Sequence, residues 1–112
     1  MARHDFYKAS GAEKVFAVEL QAEVAFTADA TNYYEFVVRL KRDGQTYGEK
    51  VGETYSLAAR SLVANEAVTL YDNAVGLAMS DGERLVLEVT ETGSPTGLVG
   101  LTLWVDRSRE AR

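Results

Sequence analysis

Hydrophobic and polar residues alternate along most of this chain. In the stretch KVFAVELQAEVAF, residues 14–26, apolar side chains occupy the even positions from Phe16 to Phe26, while Glu19 and Glu23 are among the odd ones. A period of two places the apolar side chains on one face of a β-strand, whereas a helix needs apolar residues at spacings of three and four. Although Ala, Glu, Leu and Gln are typical of helices, the period predicts a long strand here.

Seven further segments are predicted to be strands, most of them with the same alternation. They are residues 33–42, 45–51, 54–60, 67–72, 74–79, 84–91 and 98–107. Turn signals separate them, such as Asp43-Gly44 and the proline-containing loop at residues 92–97. The Ala-rich residues 56–67 have no clean period, and we expect a strand followed by a loop there. About eight antiparallel strands at this spacing predict an all-β protein with a single, jelly-roll-like β-sandwich.

The length and the two ends of the chain indicate one domain with short extensions. The chain has 112 residues, which is enough for one domain with its own core. Both ends are polar and charged. We therefore predict an N-terminal arm over residues 1–13, the sandwich over residues 14–106 and a C-terminal tail over residues 107–112. Cysteine is absent, so the fold needs no disulfide framework, and a reducing compartment is favoured.

The charge and the first residues of the chain exclude several classes of function. The net charge of −5 argues against nucleic-acid binding, which requires a basic face. The first ten residues, MARHDFYKAS, contain no apolar segment, so we expect no signal peptide. No apolar run approaches the roughly 20 residues that a membrane-spanning helix needs. We therefore expect neither nucleic acid nor a membrane among the partners.

The sequence contains no recognisable catalytic, cofactor or metal site. His4 is the single histidine, and its place in the predicted arm offers no orienting partner for general-base work. The carboxylates, Glu88 among them, lie in turns or on the polar phase of strands, where solubility places them. Asp72, Asn73 and Asp81 could meet at one loop edge, but they lack the spacing of an EF-hand calcium loop. We therefore expect a protein that is not an enzyme and binds neither a cofactor nor a metal ion.

Aromatic residues are the more informative group. They could form a platform on which sugar rings stack, and the alternative is that they pack in the core and in interfaces, as aromatic side chains commonly do. The residues concerned are Tyr33, Tyr34, Tyr47, Tyr55, Tyr71 and Trp104. The packing interpretation is favoured, because strands are rich in aromatic residues in any case.

Two predicted strands carry apolar residues on both faces. Beside the core face, one strand has Tyr33 and Val37 on its second face, and the last strand has Leu98 and Trp104 there. A sandwich covers one face of each sheet, and a sheet face in contact with water is normally polar. These four residues are therefore predicted to lie in an interface with another copy of the chain. The alternative is that an arm or loop of the same chain covers them.

The predicted arm also contains two aromatic residues, Phe6 and Tyr7, in a polar setting. Neither follows the period of a strand. Ordering a terminal segment costs about 1–2 kcal/mol per residue, so large apolar groups there imply a surface that buries them. We therefore predict that Phe6 and Tyr7 anchor the arm on a neighbouring subunit or on a larger protein shell.

Residues 68–107 resemble the C-terminal half of the jelly-roll domains found in tumour necrosis factor-like and complement-type globular heads. In those heads a strand pair around a Gly-Asp turn precedes a final hairpin, and here Asp81-Gly82 stands at the turn in reversed order. The whole chain is short, free of cysteine and charged at both ends. In these respects it resembles the head decoration (cement) proteins of tailed bacteriophages.

This resemblance implies a non-enzymatic structural protein of the virion. Such a protein binds and stabilises an assembled capsid, often as a trimer, with terminal arms that hold neighbouring subunits. The implied partners are copies of itself and the major capsid protein or another virion protein. The implied location is the virion, which assembles in the host cytoplasm. The alternative interpretation is a carbohydrate-binding or adhesin β-sandwich module that uses the tyrosines and Trp104.

Overall fold

The protein folds into β-strands throughout, in a computed structural model that describes residues 2–109. No helix lies in that range, so the all-β prediction is confirmed. The strands are β1 (Ala2–Lys8), β2 (Glu13–Gln21), β3 (Tyr33–Lys41), β4 (Glu49–Ser56), β5 (Ala67–Met79), β6 (Arg84–Thr92) and β7 (Thr102–Arg109). Because β7 runs to Arg109, the first part of the tail predicted over 107–112 belongs to a strand. Residues 110–112 lie outside the described residues.

The seven strands form two antiparallel sheets that face each other. The four-stranded sheet has the order β1-β6-β3-β4, and the three-stranded sheet has the order β5-β2-β7. The chain changes sheet at every connection except the β3–β4 hairpin. This strand order is that of an eight-stranded jelly roll without its first strand. The predicted β-sandwich of the jelly-roll-like kind is therefore confirmed, with one strand fewer than predicted.

The core lies between the two sheets and is built from the alternate residues of the middle strands. Successive side chains of a strand point to opposite faces, so every second residue of β3 and β6 points inward. The inward stripes predicted for these two strands are confirmed by their burial. They meet the inward residues of β2 in one apolar cluster. Its members include Val18, Leu20, Tyr34, Phe36, Val38, Leu40, Leu85 and Leu87.

Two pairs of predicted strands are in fact single strands. The segments 67–72 and 74–79 together form β5, with residues 73–76 bulging out of the pairing with β2. The side-chain oxygen of Asn73 accepts hydrogen bonds from two backbone N–H groups of this bulge, both at 3.1 Å. These bonds hold the bulge in a fixed shape without a break in the strand. β4 likewise replaces two predicted strands.

A bulge in β2 changes which residues of the opening stretch face the core. The pairing of β2 with both neighbours shifts between Val15 and Ala17, so Val15 is fully buried whereas Phe16 is only partly buried. A bulge inserts one extra residue and thereby reverses the alternation beyond it. Val24 lies past the end of β2 and is exposed. The predicted strand is confirmed as β2, but the core positions predicted for Phe16 and Val24 are wrong.

The N-terminal residues form a strand where an arm was predicted. β1 pairs antiparallel with β6, and a bulge lies between Asp5 and Tyr7. Phe6 and Tyr7 are partly buried and pack against the core cluster. Because the bulge breaks the alternation, β1 has no period by which a strand can be recognised. The arm predicted for residues 1–13 is therefore wrong over the length of β1.

Replacing Leu87 with alanine tests the assignment of the inward face. Leu87 is buried in the middle of β6, so the change removes apolar contacts and leaves a cavity. We expect the free energy of unfolding to fall by about 2–5 kcal/mol, measured by urea denaturation. The matched control is Glu53→Ala in β4, where the side chain is exposed and the change should stay within about 0.5 kcal/mol. Equal losses in the two variants would contradict the assignment.

Deleting residues 1–10 tests whether β1 is part of the fold. The deletion removes β1, which pairs with β6 at the edge of the four-stranded sheet. It also removes Phe6 and Tyr7, which pack against the core cluster, and so exposes that part of the core to water. We expect the truncated protein to unfold at a clearly lower urea concentration than the full chain. Phe6→Ala should lower this urea concentration too, but by less. A truncated protein as stable as the full chain would show that β1 contributes nothing to the fold.

Candidate functional site

Phe6 and Tyr7, two of the predicted interface residues, make contacts inside the protein. Both pack against the core cluster from β1. The hydroxyl of Tyr7 donates a hydrogen bond to the carboxylate of Glu13, the first residue of β2. These contacts account for the two aromatic side chains within a single chain, without a neighbouring subunit.

Glu13 is a buried carboxylate that the sequence pattern did not single out. Its side chain has no exposed surface, and it accepts a hydrogen bond from the backbone N–H of Ser10 at 3.2 Å in addition to that from Tyr7. A guanidinium nitrogen of Arg107 forms an ion pair with Glu13, 3.6 Å from the same oxygen, Oε1, that accepts the bond from Ser10. Buried charges persist where they are paired in this way. The cluster ties β1, β2 and β7 together, and a carboxylate so enclosed cannot act on a substrate.

Val37 lies on the outer face of the four-stranded sheet, and only 9% of its surface is exposed. In the sheet it stands opposite Glu88 of β6. Tyr33, at the start of the same strand, is partly buried and packs against the core cluster. Because this burial is present within one chain, the apolar residues of β3 do not require a second copy to cover them. The alternative considered from the sequence, that the same chain covers them, holds for this strand.

Glu88 is a second buried carboxylate, and it lies at the centre of this outer face. One of its oxygens lies 2.9 Å from Nε of Arg3 and 3.1 Å from Nε of Arg39. The Arg3 guanidinium stacks on the ring of Tyr47 at 3.9 Å from the centroid, and Arg39 donates a further hydrogen bond to the carbonyl of Gly48 at 3.3 Å. The loop before β4 is thereby held on the sheet.

The two arginines set the protonation state of Glu88. Burial alone raises the pKa of this carboxyl, but the hydrogen bonds and positive charges of Arg39 and then Arg3 outweigh burial, so the pKa lies below its ordinary value of 4.5. The carboxylate is therefore charged at neutral pH and fixed between its partners. The expectation that Glu88 is a solvated surface residue is wrong, because β1 and β3, the two strands beside β6, bring Arg3 and Arg39 against it.

Leu98 and Trp104, the remaining predicted interface residues, have different environments. Leu98 is partly buried against the core cluster, whereas 55% of the surface of Trp104 is exposed. Val99 and Leu101 share the phase of Leu103 and Val105 in the sequence, which predicts core positions for them, but both are exposed. This prediction is wrong because β7 begins only at Thr102, so the preceding residues do not follow its alternation.

Exposed apolar side chains are concentrated along the start of β7 and the segment before it. Seven large hydrophobic side chains are exposed among the described residues, and four of them are Val24, Val99, Leu101 and Trp104. The backbone N–H of Glu23 donates to the carbonyl of Val99 at 3.0 Å, which places Val24 beside this segment. These four residues form an apolar strip on the surface. Exposed apolar groups gathered in one region are typical of interaction sites.

A cleft of about 350 Å³ opens between the loop that follows β2 and the loop that follows β6. Two of its polar side chains, Asp29 and Asn32, accept hydrogen bonds from backbone N–H groups of these loops. Asp29 accepts hydrogen bonds from the backbone N–H groups of Thr31 at 2.8 Å and Asn32 at 3.0 Å, and these bonds lower the pKa of Asp29. The side-chain oxygen of Asn32 accepts a bond from the N–H of Ser94 at 2.8 Å. These hydrogen bonds fix the shape of the two loops that line the cleft.

The tyrosines are used mainly for packing, which weakens the sugar-platform interpretation. Tyr34 is buried, and its hydroxyl donates to a backbone carbonyl at 3.0 Å. Tyr47 is exposed, but the Arg3 guanidinium lies on its ring. Three others pack against the core from partly buried positions, namely Tyr33, Tyr55 and Tyr71. Trp104 is therefore an exposed ring within the apolar strip and not one member of an aromatic row.

Metal sites, membrane spans and relatives give no further indication of function. Within residues 2–109, no three His, Asp or Glu side chains lie close enough together to hold a metal ion. Over the same range, no helix is long and apolar enough to cross a membrane. Comparison of the chain with family models, curated proteins and solved structures gave no match. The function is therefore argued from the surface of the molecule itself.

The pH dependence of stability tests the environment of Glu88. Because the pKa of Glu88 in the folded protein lies below 4.5, its carboxylate stabilises the fold at neutral pH, and this contribution is lost as the pH falls below 4.5 through the folded-state pKa. We expect the unfolding free energy of the wild type to fall more between about pH 7 and about pH 3 than that of Glu88→Gln, whose amide does not titrate.

Glu53→Gln is the matched control for this measurement, because Glu53 is exposed and should leave the pH dependence of the wild type unchanged. Urea denaturation at several pH values gives the unfolding free energy of each variant. If the wild type and Glu88→Gln lose stability in parallel on acidification, the assigned role of Glu88 is wrong.

Proposed function

We propose that this protein is a non-enzymatic structural protein of a tailed-bacteriophage virion, which associates with copies of itself and binds the capsid shell. The observation that carries the proposal is the apolar strip on the surface of a small β-sandwich. On the outer face of the four-stranded sheet, by contrast, Val37 and Glu88 are buried within the chain itself. Burial of the strip against another protein would remove its exposed apolar side chains from water.

The polar groups of the protein support an assembly role over catalysis. A catalytic acid or base must reach a substrate, and an active site usually leaves such a group accessible with a shifted pKa. Here the buried carboxylates Glu13 and Glu88 are paired with arginines, and Asp29 is bound by the backbone of its own loop. Each of these groups serves to fix strands or loops relative to one another. A fold held in this way suits a protein that binds its partners through a surface of fixed shape.

The shape and charge of the chain fit the same role. The chain contains no cysteine, so its fold needs no disulfide, which suits a subunit that assembles on a shell in the reducing host cytoplasm. The net charge of −5 keeps free copies soluble before assembly and does not favour binding to the packaged genome. In this proposal the partner on the shell is the major capsid protein or another protein of the virion surface.

Quantitative mass spectrometry of purified virions tests the proposal. Virions are prepared from the phage or prophage that encodes this chain, and its peptides are counted relative to those of the major capsid protein. We expect a copy number comparable to that of the capsid protein, because a decoration protein repeats over the whole shell. Detergent-treated and untreated samples, compared after gradient purification, control for loosely adsorbed host protein.

Three outcomes would count against the proposal. Absence of the chain from purified virions would exclude a virion protein, and a few copies per particle would indicate a tail component in place of shell decoration. Binding of the purified chain to a glycan array, lost in Trp104→Ala, would favour the carbohydrate-binding alternative.

A further inference from the structure

The three-stranded sheet ends at β7, where a jelly roll would have one more strand. In the order β5-β2-β7, strand β7 pairs with β2 on one side, and no other strand among residues 2–109 pairs with it. The backbone groups of β7 that point away from β2 are therefore available to a further strand. An edge of this kind binds an added strand through main-chain hydrogen bonds, with side-chain contacts that set the register.

The other three sheet edges carry the features by which proteins prevent such pairing. β1 is bulged and rich in charge, with Arg3, Asp5 and Lys8 along it. β4 exposes Glu49 and Lys50 and lies against β5, which is itself interrupted by its bulge. Charge, bulges and coverage are the usual means of blocking an edge. By contrast, Thr102–Val105 of β7 contains no charged residue and no proline, and its own pairing is regular.

The core is also open at this edge. Leu103 and Val105 point inward and stand opposite Leu20 and Val18 of β2. Leu20 and Val18 are 0% exposed, whereas Leu103 and Val105 are only partly buried. The difference arises because β2 has a neighbour on each side and β7 has one. A strand added beside β7 would cover these two side chains as well as part of the apolar strip.

We propose that the occupant of this edge is β7 of a second copy, paired antiparallel about a two-fold axis at Trp104, so that the two three-stranded sheets become one sheet of six strands. The inference rests on the self-association in the proposed function and specifies its interface. An antiparallel pair about a perpendicular two-fold keeps inward residues inward. Leu103 then stands opposite Val105 of the second copy, and Thr102 stands opposite Asp106.

The sequence of β7 suits pairing with itself. With the axis at Trp104, two apolar inward pairs and one aromatic pair meet across the axis, and such cross-strand pairs stabilise a sheet. The charged residues Asp106 and Arg107 fall at the ends of the paired segment, where water reaches them. No like charges face each other in this register, and salt screens the repulsion between the net charges of −5 on the two copies.

Single cysteine variants test this register directly, because the full chain contains no cysteine. Directly opposite residues of an antiparallel pair have Cα atoms about 4.5–5.5 Å apart, within the range of a disulfide. We expect Trp104→Cys to form a covalent dimer under mild oxidation, seen on non-reducing gels. Thr102→Cys alone should not, because its symmetry mate would lie roughly 14 Å away along the strand. A mixture of Thr102→Cys and Asp106→Cys should cross-link as a heterodimer.

Sedimentation analysis of the full chain tests the contribution of Trp104 without cross-linking. We expect a dimer of the 12.3 kDa chain, with a dissociation constant that Trp104→Lys raises roughly 30-fold or more. The matched control is Val75→Lys, at an 80% exposed position on the other edge of the same sheet, which should leave the dimer intact. Far-UV circular dichroism confirms that each variant is folded.

The outcomes separate this inference from the proposed function. A trimer, a dimer that tolerates Trp104→Lys, or efficient cross-linking of Thr102→Cys alone would overturn the β7 pairing while self-association stands. A wild-type chain that stays monomeric at all concentrations would overturn both the pairing and the self-association. A dimer found by sedimentation together with absence from virions would overturn the virion assignment alone.

Discussion

The packing of β2 against the four-stranded sheet is the interaction on which the rest of the structure depends. β2 is the middle strand of its sheet, and its inward residues Val18 and Leu20 are fully enclosed. Both β5 and β7 pair with β2, which lies between them, and β5 also contacts the four-stranded sheet through β4 and β3. A change that shifted the register of β2 by one residue would turn every inward side chain of that strand outward. The position of the apolar strip on β7 follows from this register.

The two buried carboxylates fix parts of the fold that apolar packing leaves loose. Glu13 lies where β1, β2 and β7 come together, and Glu88 lies on an outer sheet face that has no second layer of strands. In both places arginines from neighbouring strands supply the opposite charge. A pair of this kind is weak evidence for added stability, but it restricts which strands can lie side by side. The charges therefore contribute to specificity where side chains have no core to fill.

The open edge of β7 is a consequence of strand number. A sandwich of four strands on three leaves one edge with its backbone groups and its inward side chains partly uncovered. The other edges are blocked by charge or by bulges, and an edge left unblocked can pair with a further strand. The residues that remain partly uncovered along β7 are the ones that an added strand would cover. The arrangement of the core therefore leads to the proposed association.

The sequence by itself determined the fold class and the inward faces of β3 and β6, because strict alternation encodes which side of a strand is buried. It did not determine β1, the outward turn of Phe16, or the buried states of Glu13 and Glu88. Bulges reverse the alternation, and a carboxylate looks the same in sequence whether water or arginine surrounds it. Of the predicted interface residues, only Trp104 remains clearly exposed. Only the tertiary structure decided which of these residues is exposed. The exposure of a residue depends on the strands that lie beside it, and those strands come from distant segments of the sequence.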